Sequence, residues 1–269
     1  MTLCRIIIFV PIITLTTDFG GNDPFFGIMK GVILTICPEA RIEDITHDIS
    51  PQDIWQANFI IQTSYYYFPT STIHVCVVDP GVGGQRRPIL IKTKKYFFIG
   101  PDNGIFTGVL EKEEIVNIVE LTEKKYWLPN VSQTFHGRDI FAPVAGHLAK
   151  QETGDIVKKF GKEVKVNDLT RLNIQKPVKN EKGYSGIIQY IDHFGNLITN
   201  IPNDNVPDEI SGKVKDINFN GLVSSFSEAQ NERLTAIKGS SGYIELFIYK
   251  KNAARLTSVN VKDLIEVKY

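Results

Sequence analysis

The chain is poor in sulfur. Its 269 residues include three cysteines, Cys4, Cys37 and Cys76, and two methionines. The cysteines are odd in number, scattered and never spaced C-x-x-C. That argues against a disulfide framework and a thiolate zinc site, and it fits a reducing cytoplasm. An excess of charge of one sign is also missing, because 30 basic and 30 acidic residues cancel to a net charge of +0. A protein built to neutralise a nucleic-acid backbone or an anionic membrane would carry surplus Lys and Arg, so neither is an expected partner. No long apolar run occurs. Ile6 to Ile13 is almost wholly apolar but contains Pro11, and it falls well short of the ~20 residues that span a bilayer. No small-residue cleavage site follows it. The run leads into Thr14-Leu15-Thr16-Thr17, so Ile12–Thr17 reads as a buried first strand. The residues before Pro11 read as either an extra arm or an over-extended gene start. Internal repeats and low-complexity segments are absent.

What remains is ample for a folded core. Hydrophobic residues make up 42% of the chain, and the length suits one large or two smaller domains at roughly 150 residues each. The first part alternates strand-like and helix-like segments. Asp23-Pro24 reads as an N-cap and first helical position for a helix to Ile36. Arg41–Thr46 is extended. Ser50-Pro51 with Asp53 opens a helix with Ile54, Ala57 and Ile61 on one face. Thr72–Val78 is a near-continuous apolar strand, followed by strands at Ile89–Lys92 and Tyr96–Ile99. Asp139 is expected to begin a helix with Ile140, Val144 and Leu148 inward. This pattern predicts an α/β domain with a largely parallel central sheet, over residues 11–175. Gln151 to Lys182 holds eight Lys or Arg against five Asp or Glu and reads as a surface excursion and linker. Residues 183–269 alternate strands and turns without a long helix, which predicts an all-β, barrel-like second domain.

Several motifs invite a chemical reading. Thr17-Asp18-Phe19-Gly20 and His136-Gly137-Arg138-Asp139 imitate protein-kinase signatures, but D-F-G at the start of a chain has no glycine loop or lysine strand before it. Asp18 sits at the carboxyl end of the first strand, where open α/β sheets bind ligands, and a carboxylate there suits ribose hydroxyls. It also suits an ordinary turn. Asp79-Pro80-Gly81-Val82-Gly83-Gly84 follows a strand but precedes Arg86-Arg87-Pro88 and another strand. Without a helix N-terminus to receive a pyrophosphate, both the Rossmann and P-loop readings fail. A tight loop presenting Asp79 and Arg86 at the sheet edge remains, beside the plainer reading of a turn with surface arginines. Asp192-His193-Phe194-Gly195-Asn196 is a polar turn between strands. No E-x-x-H or H-x-H spacing supports a metal site.

In order and spacing the set resembles the S-adenosyl-L-methionine (SAM) hydrolases, or SAM hydroxide adenosyltransferases, and their fluorinase and chlorinase relatives. The resemblance runs from about Ile12 to the C-terminus. It rests on T-T-D-F-G at 16–20, Asp23, I-T-H-D-I at 45–49, V-D-P-G-V-G at 78–83, G-P-D-N-G at 100–104, T-F-H-G-R-D-I-F at 134–141, D-H-F-G-N at 192–196, S-S-G-Y at 240–243 and N-A-A at 252–254. It implies an N-terminal α/β domain and a C-terminal β-barrel domain. It also implies a homotrimer with active sites between subunits and an Asp79-Arg86-His136 triad that handles an attacking water. Arg86 rather than Arg87 matches the triad spacing, and in an extended stretch the two would face opposite ways.

By the same resemblance Asp18 holds the ribose diol and Phe135 lies beside the nucleoside. Asp23, Asp192, Asn196 and Ser241 surround the methionine amino and carboxylate groups. Phe226 and the backbone of Ala253 meet the adenine. Gln52 replaces the usual aromatic after Pro51, and Lys251 stands where some relatives have Arg. The implied reaction is hydrolysis of SAM to adenosine and L-methionine, in which Asp79 and His136 take up the proton of the water. SAM is the substrate, and no cofactor or metal is expected. Halide attack is the near alternative, disfavoured because a carboxylate at Asp79 would repel the anion. A trimeric nucleoside-binding protein without turnover is the other.

Overall fold

The computed structural model describes residues 10–150, 157–229 and 232–269. The stretch before Val10, and with it Cys4, lies outside the described residues. Two compact units divide between Leu172 and Asn173.

The first unit is built on one sheet. Its strands are β1 (Ile12–Thr17), β2 (Arg41–Thr46), β3 (Ile73–Val77), β4 (Pro88–Thr93), β5 (Phe97–Pro101), β6 (Ile115–Leu121) and β7 (Gly161–Glu163). They lie in the order β2-β1-β3-β5-β4-β6-β7. β2, β1, β3 and β5 are parallel neighbours, whereas β4 runs antiparallel between β5 and β6, and β7 closes the far edge. The helices are α1 (Phe25–Ile36), α2 (Ile54–Ser64), α3 (Thr107–Lys112) and α4 (Ala142–Ala149).

The period-2 alternation of the central strands explains the layering. Val75 and Val77 of β3 join a core with Met29 and Ile33 of α1 and Val144 and Leu148 of α4. Cys76 and Val78, facing the other way, join Ala57 and Ile61 of α2 and Val109 of α3. A strand covered on both faces must be apolar throughout, and every residue of β3 is buried, including His74.

Three local expectations are corrected. Asp23 does not cap α1: the helix begins at Phe25 behind Pro24, with no side-chain cap. Asp139 does not open a helix either. A π-helical turn already spans Gly137–Phe141, with His136 at its N-cap position, and Asp139 is buried inside it. There Asp139 pairs with Arg138 at 2.6 Å and accepts from the Ser132 N–H at 2.8 Å. Nor is the described part of the 151–182 stretch only a linker. Val157 and Phe160 enter the first core and Gly161–Glu163 adds the edge strand, because an apolar pair among the lysines anchors the segment.

The second unit contains β8 (Val178–Asn180), β9 (Gly183–Ile191), β10 (Leu197–Pro202), β11 (Ser211–Val214), β12 (Ile217–Asn220), β13 (Leu222–Val223), β14 (Thr235–Lys238), β15 (Tyr243–Phe247) and β16 (Leu264–Lys268), with one short helix, α5 (Ala253–Thr257). The strand path is β12-β11-β16-β9-β10-β15-β14-β13, and β12 also comes against β14. The sheet is therefore nearly closed on itself, as a small barrel must be to hide its edges. Ile188, Leu197, Ile244, Leu246, Ile265 and Val267 fill its interior. Among the described residues no helix is long and apolar enough to cross a membrane.

Candidate active site

Parallel neighbours β1 and β3 are in register up to Thr17 and Val77. The residues just beyond their carboxyl ends, Asp18 and Asp79, therefore emerge side by side. A cleft of about 380 Å³ opens there, lined by Asp18, Gln52, Asp79, Phe135 and His136 among others. Its apolar wall is a trio of rings. Phe19, Phe25 and Phe135 meet edge to face, with centroids 5.3 to 5.7 Å apart. Gln52 supplies no ring. It adopts a left-handed φ of 67° and its backbone N–H donates to Asp18 Oδ2 at 2.7 Å, which fixes the carboxylate.

Arg86 ties the polar side of the cleft together. Its Nε donates to Asp79 Oδ1 and Oδ2 at 3.0 and 2.9 Å, and its Nη2 donates to Oδ2 at 2.5 Å. The same Nη2 donates to His136 Nδ1 at 2.7 Å. Both members of the ion pair are nearly sealed from water, with side-chain exposures of 9% and 5%. A guanidinium has no lone pair to offer, so Nδ1 must be the accepting nitrogen and the neutral ring carries its proton on Nε2. Burial first, and then the Arg86 cation, hold the His136 imidazole below its ordinary value, outweighing Asp79 and Asp139. His136 is thus neutral at pH 7. Arg87 faces the other way and binds Asp102 at 2.5 Å.

The motif glycines belong to this packing. Gly83 has φ 75°, and a Cβ there would lie 2.2 Å from the Gln133 carbonyl oxygen. Only glycine lets the 79–84 loop nest against the segment that delivers Phe135 and His136. Asn103, from G-P-D-N-G, donates to the Val78 carbonyl at 2.8 Å and steadies the residue before Asp79.

The second unit has its own cavity of about 690 Å³, with Asp192, Asn196, Phe226, Ser240, Glu245 and Asn252 in its wall. Asp192 Oδ1 accepts from the Asn196 backbone N–H at 2.8 Å, and Oδ2 accepts from Asn196 Nδ2 at 3.0 Å. Phe226 packs edge-on against Phe247, with centroids 4.7 Å apart. The D-H-F-G-N and N-A-A motifs meet here. Gly195, at φ 84°, has Asn252 where a Cβ would project, 2.1 Å from its Cγ. Its carbonyl accepts from the Ala254 N–H at 2.9 Å.

The predicted residues are unevenly gathered. Asp18, Asp79, Phe135 and His136 line the first cleft, with Arg86 behind them, and Asp192, Asn196 and Phe226 line the second cavity. Asp23 is exposed ahead of α1 and is not in the cleft wall. Ser241 has its hydroxyl buried without a hydrogen-bond partner, while the neighbouring Ser240 reaches the cavity. Ala253 is fully buried at the first position of α5, next to Asn252. Three residues escaped the sequence reading: Phe19 and Phe25 of the aromatic wall, and Glu245. The last was detectable as a lone charge inside the apolar strand Tyr-Ile-Glu-Leu-Phe.

A sheet-edge cleft that joins a buried carboxylate–guanidinium–imidazole chain to an aromatic wall defines a small-molecule enzyme built on an α/β scaffold. Comparison with known proteins narrows the class. Residues 13–158 match the SAM hydroxide adenosyltransferase N-terminal domain, and residues 186–266 match the C-terminal domain of the same family. The chain belongs to that family. It is 38% identical to an (R)-S-adenosyl-L-methionine hydrolase of Methanocaldococcus jannaschii over 96% of both chains. A fluorinase of Actinoplanes sp. is more distant, at 28% identity over 71% of this chain and 72% of the fluorinase. Among solved structures, an uncharacterized conserved protein from Thermotoga maritima superposes with a TM-score of 0.87 at 34% identity, covering 95% of this chain and 99% of that one.

Proposed function

We propose that this protein hydrolyses S-adenosyl-L-methionine to adenosine and L-methionine, by attack of water at C5′. The observation that carries the reading is the Asp79–Arg86–His136 chain, set in a cleft that also holds Asp18 and Phe135. The sulfonium leaves as a neutral thioether, so the leaving group needs no acid, cofactor or metal. The weak partner is water, which must lose a proton as it attacks. With His136 Nδ1 engaged by Arg86, Asp79 is the proton acceptor and His136 orients the water through Nε2–H. General-base assistance of this kind is typically worth about 10²–10⁴ in rate. Pairing Arg86 with Asp79 cancels a cation that would otherwise repel the sulfonium. A halide in place of water would meet the Asp79 carboxylate instead.

In this reading Asp18 holds the ribose diol and Phe135 packs beside the nucleoside. Asp192 and Asn196, with a serine of the Ser240-Ser241 turn and Asp23, serve the methionine end. Phe226 and the Ala253 backbone serve the adenine. The working unit is a homotrimer in which neighbouring subunits complete each site, and its setting is the cytoplasm, which suits the free, buried Cys37 and Cys76. Turnover in ¹⁸O-labelled water tests the proposal. Label is expected in the 5′ oxygen of adenosine, with methionine unlabelled. A requirement for added chloride or fluoride would overturn the water mechanism, and binding of SAM without any adenosine would make the protein a binding module.

A further inference from the structure

His47, at the centre of I-T-H-D-I, is not in the cleft wall, yet it grips the turn that carries Asp18 from two sides. Its ring Nδ1 lies 2.8 Å from Oγ1 of Thr17, the residue before Asp18. Its backbone carbonyl accepts from the Gly20 N–H at 2.8 Å, two residues after Asp18. Thr17 Oγ1 in turn accepts from the Phe19 N–H at 3.3 Å. Thr17, Phe19 and Gly20 are thus all tied to His47, directly or through one hydroxyl. Whichever ring nitrogen carries the proton, the Thr17 link holds, because a hydroxyl both donates and accepts.

The fold delivers His47 by a local irregularity. β1 and β2 are parallel neighbours, and their register slips by one residue just before the turn: Leu15 lies opposite Asp44, but Thr16 lies opposite Thr46. The extra residue, Ile45, brings His47 level with Thr17 instead of one place beyond it. Irregularities of this kind re-aim side chains and recur beside active sites. The ring is then held in place from α1. Phe26 stacks on it, with centroids 4.0 Å apart and planes 14° from parallel. Asp44 Oδ1 stands 3.0 Å from Nε2 but off the line of the ring N–H, an electrostatic contact rather than an aligned hydrogen bond. Lys30, one turn from Phe26, binds the same carboxylate at 2.5 Å. Thr17 is fully buried and His47 nearly so. Two apolar side chains would fill this space without the cost of desolvating a hydroxyl and an imidazole. What the polar pair adds is direction, because a satisfied buried hydrogen bond makes the local structure rigid and specific.

We infer that His47 is a positioning residue: through the Thr17 hydroxyl it sets the turn that aims the Asp18 carboxylate at the ribose hydroxyls. Gln52 anchors the other end of the same arrangement, its backbone N–H donating to Asp18 Oδ2 at 2.7 Å. The inference rests on the hydrolase reading, in which Asp18 holds the ribose diol. It makes His47 act on recognition of the ribose and not on the Asp79–Arg86–His136 chain.

The test measures, by calorimetry on the full-length protein, the affinities for adenosine and for 2′,3′-dideoxyadenosine. Their ratio reads what the ribose hydroxyls contribute. In the wild type it should be about tenfold or more, as for hydrogen bonds to a charged group, and Asp18→Ala should collapse it. Thr17→Val, which keeps the shape and removes the hydroxyl, and His47→Leu should each shrink the ratio about threefold or more, with dideoxyadenosine affinity held within about twofold. His47→Asn, whose amide places a polar atom near the position of Nδ1, should recover most of what His47→Leu loses. On an Asp18→Ala background neither Thr17→Val nor His47→Leu should lower adenosine affinity further, because both act through that carboxylate. An unchanged ratio would overturn the inference, and so would an equal loss for both nucleosides, the mark of a merely structural role. If His47→Leu fails to fold, Thr17→Val and His47→Asn carry the same comparison. A wild type that binds both nucleosides equally would overturn the ribose role of Asp18, and the inference with it. Adenosine formation from SAM, measured in parallel, judges the hydrolase reading separately.

Discussion

Arg86 and Arg87 are chemically identical and adjacent, yet they serve different carboxylates. Extended backbone sends their side chains to opposite faces, so Arg86 meets Asp79 and Arg87 meets Asp102. Only the first pair touches the cleft. If Asp79 accepts the proton of water, its work is done mainly in the transition state. Asp79→Asn should then lower kcat by about 10²–10⁴ while SAM affinity stays within a few-fold. Near-normal turnover at saturating substrate would remove Asp79 from that role. His136 gives a separate signature in pH. It acts as a neutral ring, and burial with Arg86 holds its protonation below the ordinary histidine range. Turnover at saturating SAM should therefore hold steady as pH falls through about 6.5, the usual imidazole value, and decline only at lower pH. A decline centred at or above the usual value would show that the ring is not held neutral by its neighbours.

At the scale of elements, glycine decides how the motifs assemble. Gly195 combines φ 84° with Asn252 packed where a side chain would project. Gly195→Ala should cost more than ~1 kcal/mol, since both the backbone strain and the clash oppose it. Urea denaturation measures the loss, and a change within error would mean that the turn relaxes freely. Such constraints also explain what was readable in advance. β1 ends where apolar patterning predicts, because a strand buried in a layered sheet must be apolar, whereas β2, Arg-Ile-Glu-Asp-Ile-Thr, is an edge strand with no buried residue and needs no apolar run. β11, Ser-Gly-Lys-Val, carries too little periodicity to stand out, and β12, Ile-Asn-Phe-Asn, alternates over only four residues; both form because closing the barrel pairs them. β7, Gly-Lys-Glu, is an edge strand recruited by its register with β6. In the cleft, the Asp79–Arg86 pairing was legible through the family resemblance, and the tight loop between them brings the two side chains together. The choice between Ser240 and Ser241 was not, because a tight turn ending at Gly242, φ 89°, rotates neighbouring side chains to different faces. Phe19 and Phe25 were missed for another reason: they meet Phe135, far along the chain, only once α1 packs on the sheet.

At the scale of the whole molecule, the candidate site residues are split between two units, each with a cavity of its own. The first holds the Asp79–Arg86–His136 chain and Asp18, while the second holds Asp192, Asn196 and Phe226 but, among the described residues, no comparable carboxylate–guanidinium–imidazole chain in its wall. Under the proposed function, neither unit expressed alone should make adenosine. The homotrimeric reading adds a stricter expectation. Asp79→Asn disables only the first half of a site, and Asn196→Ala only the second half. If each site takes its halves from different subunits, co-expressing the two inactive chains creates some sites with both halves intact. Activity should then reappear, although each variant is inactive by itself. If each site drew both halves from one chain, every site in the mixture would still carry one lesion and no activity would return. Co-expression or joint refolding is essential, because subunits joined through an obligate interface exchange only when the fold is lost. Adenosine release by the mixture, measured against each variant alone, decides the matter, and a fully active monomer by light scattering at assay concentration would exclude the shared site.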